Sequence, residues 1–243
     1  SLPPAEIRAC ASIDVTELLG ARSEVTDIAA QTLSESSEVL LLGERRGALH
    51  QVDVLTEGER AHWDVFRPAS RAIRGHSCLN LDLFCDASSV TTIPSGFLVV
   101  DRHRVLEFNF TWRPEVTERL VAQAGQFNNE GGAAALSFPS KAAIYSPYNE
   151  THLTESEAMT PEHLYAASRL VVVADTGNHR VVVYNASMSG QLELAVQFGI
   201  TGEPRNDTSG LSWPHGVAVS TPSVEGGFEP FFADIFVADR RNH

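Results

Sequence analysis

From Val171 to Tyr184 the chain reads VVVADTGNHRVVVY, an apolar run, a polar segment from Asp175 to Arg180, and a second apolar run. Valine-rich runs bounded by turn residues predict two short strands joined by a tight turn. The pattern returns at Ile235 as IFVADRRNH, which stops at His243. Upstream of each copy lies a second match: LSFPSKAAIYSP from Leu136 to Pro147 and LSWPHGVAVSTP from Leu211 to Pro222 align without gaps. Each predicts a further apolar strand introduced by a proline. The segments QAGQFNNEGG from Gln123 and QFGITGEPRN from Gln197 correspond more loosely, as a strand end followed by a crossover loop. Two weaker copies are FLVVDRHRVLEFN, Phe97 to Asn109, with a shortened turn, and VLLLGERRGALHQVDV, Val39 to Val54. In these, Asp101 and Gly43 are aligned with Asp175.

A unit of this kind cannot bury both of its faces alone, so its recurrence implies stacked units that share a core. The positions Gly43, Asp101, Asp175 and Asp239 are unequally spaced. Loops absorb insertions at low entropic cost, and Asn149 to Ala167 and Ser220 to Ala233 read as two such surface excursions. The expectation is one all-β domain spanning residues 1–243.

The signature resembles the NHL repeat, a family of β-propeller blades marked by an apolar strand, Ala-Asp, a short turn with Asn-His-Arg and a second apolar strand. Ala174, Asp175, Gly177, Asn178, His179 and Arg180 carry the resemblance. Ala238, Asp239, Asn242 and His243 carry it again, with Arg240 and Arg241 filling the turn, and Asp101, His103 and Arg104 form a shorter version. The resemblance implies an NHL-type β-propeller fragment with about four blade traces, part of a six-bladed ring, with the last blade truncated at the C-terminal end. Structural roles are expected for the signature: Asp175 and Asp239 accept backbone N–H bonds at the turn, and Arg180 reaches carbonyls of a neighbouring blade.

Composition narrows the function. With 43% apolar and 20% charged residues the chain is a folded one, and it has no run of about 18 apolar residues that would span a membrane. A net charge of −13, with Lys141 the single lysine, opposes binding to nucleic acid. Four Asn-X-Ser/Thr triplets begin at Asn109, Asn149, Asn185 and Asn206. Such residues also belong in turns, but four exceed chance expectation, and each is placed just after a strand or in an insertion, which favours N-linked glycans. Cys78 and Cys85 flank LNLDLF and suit a local disulfide, although spacing alone does not fix the geometry. Cys10 has several open pairings, and three free thiols would suit an intracellular protein. The triplets tip the expectation toward an extracellular or cell-surface location. An intracellular NHL scaffold is the reading if they are unused.

One stretch carries candidate chemistry. The family includes the zinc-dependent peptidyl-hydroxyglycine lyase of peptide amidation, whose propeller binds zinc through histidines, one in a Pro-His pair that begins a blade strand. Pro214-His215 is similar to that pair, which makes His215 a candidate zinc ligand. The chain departs from the enzyme in two ways: the turn from Asp175 to Arg180 lacks its Tyr-Cys pair, and the position aligned with His215 is Ser140. No nucleophile–base pair or phosphate-cradling glycine loop is visible. The sequence therefore favours a non-catalytic binding or assembly module with protein or glycan partners, self-assembly included, and no cofactor beyond its glycans. The zinc-dependent lyase is the alternative.

Overall fold

The computed structural model describes residues 24–34, 37–44, 48–57, 60–64, 87–93, 96–109, 119–125, 135–145, 169–186, 192–207, 210–220 and 234–242. These form four antiparallel sheets, each a meander whose strand order follows the sequence. The first sheet comprises β1 (Val25–Ser34), β2 (Ser37–Glu44), β3 (Ala48–Glu57) and β4 (Arg60–Asp64). The second contains β5 (Ala87–Ile93), β6 (Gly96–Asp101), β7 (Arg104–Asn109) and β8 (Arg119–Gly125). In the third are β9 (Lys141–Tyr145), β10 (Arg169–Asp175), β11 (Arg180–Ala186) and β12 (Leu192–Phe198). The fourth pairs β13 (Pro214–Val219) with β14 (Ile235–Asp239). The all-β expectation holds for the described residues, and no helix among them is long and apolar enough to cross a membrane.

The first strands of successive sheets pack in order, β1 on β5, β5 on β9 and β9 on β13. Their contact is stitched by hydroxyl groups near the strand starts. Thr26 Oγ1 donates to the Ala87 carbonyl at 2.7 Å, Ser88 Oγ to Pro139 at 3.0 Å and Ser140 Oγ to His215 at 2.6 Å. Short hydroxyl side chains at one register position thus bind each first strand to the next, in sequence order.

The sheets stack face to face, which explains the unbroken valine runs. Val171 and Val173 of β10 point to one core with Leu98, Val100 and Val105 of the second sheet. Val172 and Ala174 point to the opposite core with Val217 of the fourth. A strand buried on both faces has no polar side to show, so its sequence does not alternate, and each fully buried valine contributes about 1.5–3 kcal/mol.

Pairing register corrects one alignment. Glu44, not Gly43, stands opposite Val25, just as Asp101 stands opposite Ala87 and Asp239 opposite Pro214, each beside a bulge in the first strand. Gly43 pairs with Asp27, the place that Ala238 takes opposite Gly216. The glycine resembles a turn residue in the sequence, but β2 runs one residue further before it turns.

Candidate functional site

The polar signature residues collect at one end of the strands, where each sheet joins the next. Asp175 ends β10 and is fully buried. Its Oδ1 accepts the Ser137 N–H at 2.7 Å, and its Oδ2 accepts Asn178 Nδ2 at 2.9 Å and Arg180 Nε at 2.7 Å. Arg180, also buried, spends the rest of its guanidinium on Gln197 Oε1, Thr201 Oγ1 and the Ala135 carbonyl. The same pair closes the shorter turn of the second sheet, where Arg104 Nε and Nη2 both meet Asp101 Oδ2, at 2.9 and 2.8 Å. In the fourth sheet Asp239 Oδ2 accepts the Ser212 N–H at 2.7 Å. Asn178 and Asn242 reach equivalent carbonyls, Ala135 and Gly210. Asp175 and Asp239 thus accept backbone N–H groups from the segments that open their sheets, not from the strand-connecting turn. The Arg180 bonds to Gln197, Thr201 and Ala135 lie within its own sheet's segments. Burial pushes the Asp175 carboxyl up, against the hydrogen bonds from Ser137, Asn178 and Arg180 and the Arg180 charge.

Two signature histidines cross between sheets. His103 Nδ1 accepts the N–H of Phe138 at 3.2 Å, and His179 Nδ1 accepts that of Trp213 at 3.3 Å. Each donor belongs to the segment that opens the following sheet. The rings meet edge to face, His103 with Phe138 at 4.4 Å between centroids and His179 with Trp213 at 5.4 Å. Both donors have left-handed backbones, φ 45° at Phe138 and 63° at Trp213, and so does His179 at 57°. Such positions cost of order 1–3 kcal/mol for residues other than glycine and persist only where surrounding bonds hold them. Arg241 lies over the Trp213 ring at 4.6 Å. Phe138 and Trp213, at equivalent positions of the two aligned copies, are thus half of a repeated histidine joint.

This joint is sensitive to acid. Burial, then the Arg102 charge, holds the His103 imidazole below its ordinary value, against a backbone bond at Leu136 and the carboxylates of Asp175 and Asp101. The folded protein therefore takes up this proton less readily than the unfolded chain. The joint's stability is complete above the ordinary histidine value of about 6.5 and is lost as pH falls through it toward the lowered native value. Protonated Nδ1 cannot accept from Phe138. We expect the urea midpoint to fall between about pH 7.5 and pH 5.5, and His103→Gln to flatten that dependence; an unchanged slope in the variant would refute the assignment.

Two further clusters were not evident in the sequence. Asp27 Oδ2 on β1 accepts Ser89 Oγ at 2.8 Å and the Val90 N–H at 2.9 Å from β5, and Lys141 Nζ at 2.5 Å from β9. The chain's single lysine thus ties the first sheet to the third. Glu107 of β7 meets Arg169 of β10 at 2.7 Å, both buried, across the second and third sheets. A charged residue inside an apolar strand, as in VLEFN, is the signal that marks such a pair.

His215 is exposed and lines an open cleft of about 440 Å³ with Ala238, Asp239 and Arg240. A catalytic zinc takes three protein ligands and leaves one position open. Among the described residues no three metal-capable side chains gather, and Asp239 is already engaged with Ser212. Among the described residues His215 therefore has no set of companion ligands. Asn185 and Asn206 are exposed, with Asn185 inside β11 rather than after it, and Asn109 is the last residue of β7. Asn149, Cys10, Cys78, Cys85 and His243 lie outside the described residues. No family model and no curated protein sequence matches this chain, so its resemblance to the NHL signature rests on the residues named above.

Proposed function

We propose that this chain is part of a six-bladed NHL-type β-propeller that serves as a non-catalytic binding or assembly module of an extracellular glycoprotein, with protein or glycan partners. The observation that carries this reading is that the polar signature is consumed in joints. Asp175, Arg180, Asp101 and Arg104 close turns within sheets, and His103 and His179 lock successive sheets together. Side chains so engaged frame a rigid body and leave recognition to loops. Meander sheets whose first strands pack in sequence order support the propeller. The exposed acceptor residues Asn185 and Asn206 support the location.

Glycopeptide mass spectrometry on protein from its natural source tests the location. Glycans are expected at Asn185 and Asn206, while bare asparagines at all four triplets would replace this reading with an intracellular scaffold. Stoichiometric zinc that disappears in His215→Ala, together with cleavage of a hydroxyglycine peptide, would replace it with the lyase.

A further inference from the structure

Among the described residues four other than glycine have left-handed backbones, Arg102, Phe138, His179 and Trp213, and all lie at the end of the strands where each sheet joins the next. Strained backbone of this kind gathers at functional sites, where the surrounding structure holds it in place. Two of the four carry aromatic rings at the surface. Phe138 is 61% exposed and Trp213 36%. The chain end does not account for this, because Phe138 lies where the second sheet meets the third, each with its four strands. The histidine joint uses the Phe138 N–H and an edge contact with the ring. Glycine would supply that N–H in the same conformation without steric cost. The joint alone does not call for a phenyl group, and it leaves most of this one in solvent.

An arginine accompanies each ring. Arg102 is exposed and precedes the histidine that touches Phe138, and Arg241 lies over Trp213 at 4.6 Å. The connections at the opposite end have the reverse sign. Between β9 and β10 the sequence holds four glutamates from Asn149 to Ala167, and between β13 and β14 it holds two from Ser220 to Ala233, with no lysine or arginine in either stretch. Three of the four glycan acceptor triplets also begin on that side, since Asn109 ends β7, Asn149 belongs to the β9–β10 connection and Asn185 is next to last in β11. Glycans at these positions would shield the acidic end and leave the aromatic end bare.

We propose that the end bearing Phe138 and Trp213 is the recognition face of the module and that its partner is an acidic polypeptide segment, which seats an apolar side chain on the Phe138 ring and a carboxylate at Arg102. Aromatic and arginine side chains are the usual anchors of protein interfaces, and a ring on a backbone already fixed in place lowers the ordering cost of binding. A long polyanion is disfavoured, because it meets the field of the whole chain, with its net charge of −13, whereas a short segment meets the local arginines.

The inference deepens the binding-module reading and rests on it, but its test reads Phe138 and Arg102, so it fails separately from the glycan experiment. Fluorescein-labelled peptides EEFEEFEE, QQFQQFQQ and EEGEEGEE are titrated into the full chain by fluorescence polarisation at about 0.15 M salt. The first is expected to bind at least about tenfold more tightly than either of the others, a difference of about 1.4 kcal/mol. Phe138→Gly keeps the N–H that His103 accepts and relaxes the backbone, so the fold is retained; it should bring EEFEEFEE down to the affinity of EEGEEGEE. Arg102→Gln should bring it down to that of QQFQQFQQ. Equal binding of the three peptides, no binding of any, or binding that survives Phe138→Gly would each overturn the proposal. Binding of a uronic-acid oligosaccharide or of single-stranded RNA in place of the peptide, lost in Phe138→Gly, would overturn the choice of a polypeptide.

Discussion

Asp175→Ala is expected to lower the unfolding free energy by about 3–5 kcal/mol, the usual cost of removing one partner of a buried ion pair. The carboxylate receives three hydrogen bonds, from Ser137, Asn178 and Arg180, and the Arg180 donor is itself buried. Arg180 is the costly remainder. Its side chain is 1% exposed, and Asp175 is the carboxylate bonded to its Nε. Asp175→Asn should cost less, because an amide oxygen still accepts the Ser137 N–H. Urea unfolding of the three proteins measures this, and a loss below about 1 kcal/mol in the alanine variant would show that the pair is not the clasp proposed here.

Glu107→Leu alone is expected to cost a comparable amount, about 3–5 kcal/mol, by leaving Arg169 charged between the second and third sheets. Arg169→Met alone should do the same to Glu107, whose Oε2 already lacks a hydrogen-bond partner among the described residues. The double variant should recover most of the loss, since two apolar side chains of similar volume need no desolvation of charge. A coupling energy below about 0.5 kcal/mol in the double-mutant cycle would mean that the two residues act independently. The test matters for the architecture because Glu107 and Arg169 belong to neighbouring sheets. A large coupling is direct energetic linkage between them.

The propeller reading uses a comparison of one sheet with the next. At the repeated positions Leu98, Val172 and Phe236, side chains of the same type are covered or exposed according to whether another sheet lies against them. Ile28 makes the same point at the other end. It is 56% exposed, while Val90, Ala142 and Val217 at its register position are 1%, 1% and 7% exposed.

The amino-acid sequence alone determined the strands that are buried on both faces, and their turns. VVVAD and RVVVY cannot be read as anything but apolar strands around a polar turn, because double burial removes every polar residue from the run. It also marked Asp175, Asn178 and Arg180 as structural, since short polar side chains at a strand-connecting turn have backbone groups to satisfy nearby. It did not place β1 or β5, whose TDIAAQT and ASSVTTI carry hydroxyls and a carboxylate at positions that only the neighbouring first strands make useful. Nor did it separate Gly43 from Glu44, because a one-residue offset is set by the pairing partner and the bulge, not by local preference. The tertiary structure decided that the signature histidines, His103 and His179, cross between sheets. It also decided that Lys141 meets Asp27 and that Glu107 has Arg169 to answer it. Each of these joins residues far apart along the chain, and their meeting depends on how whole sheets stack, which no local pattern encodes.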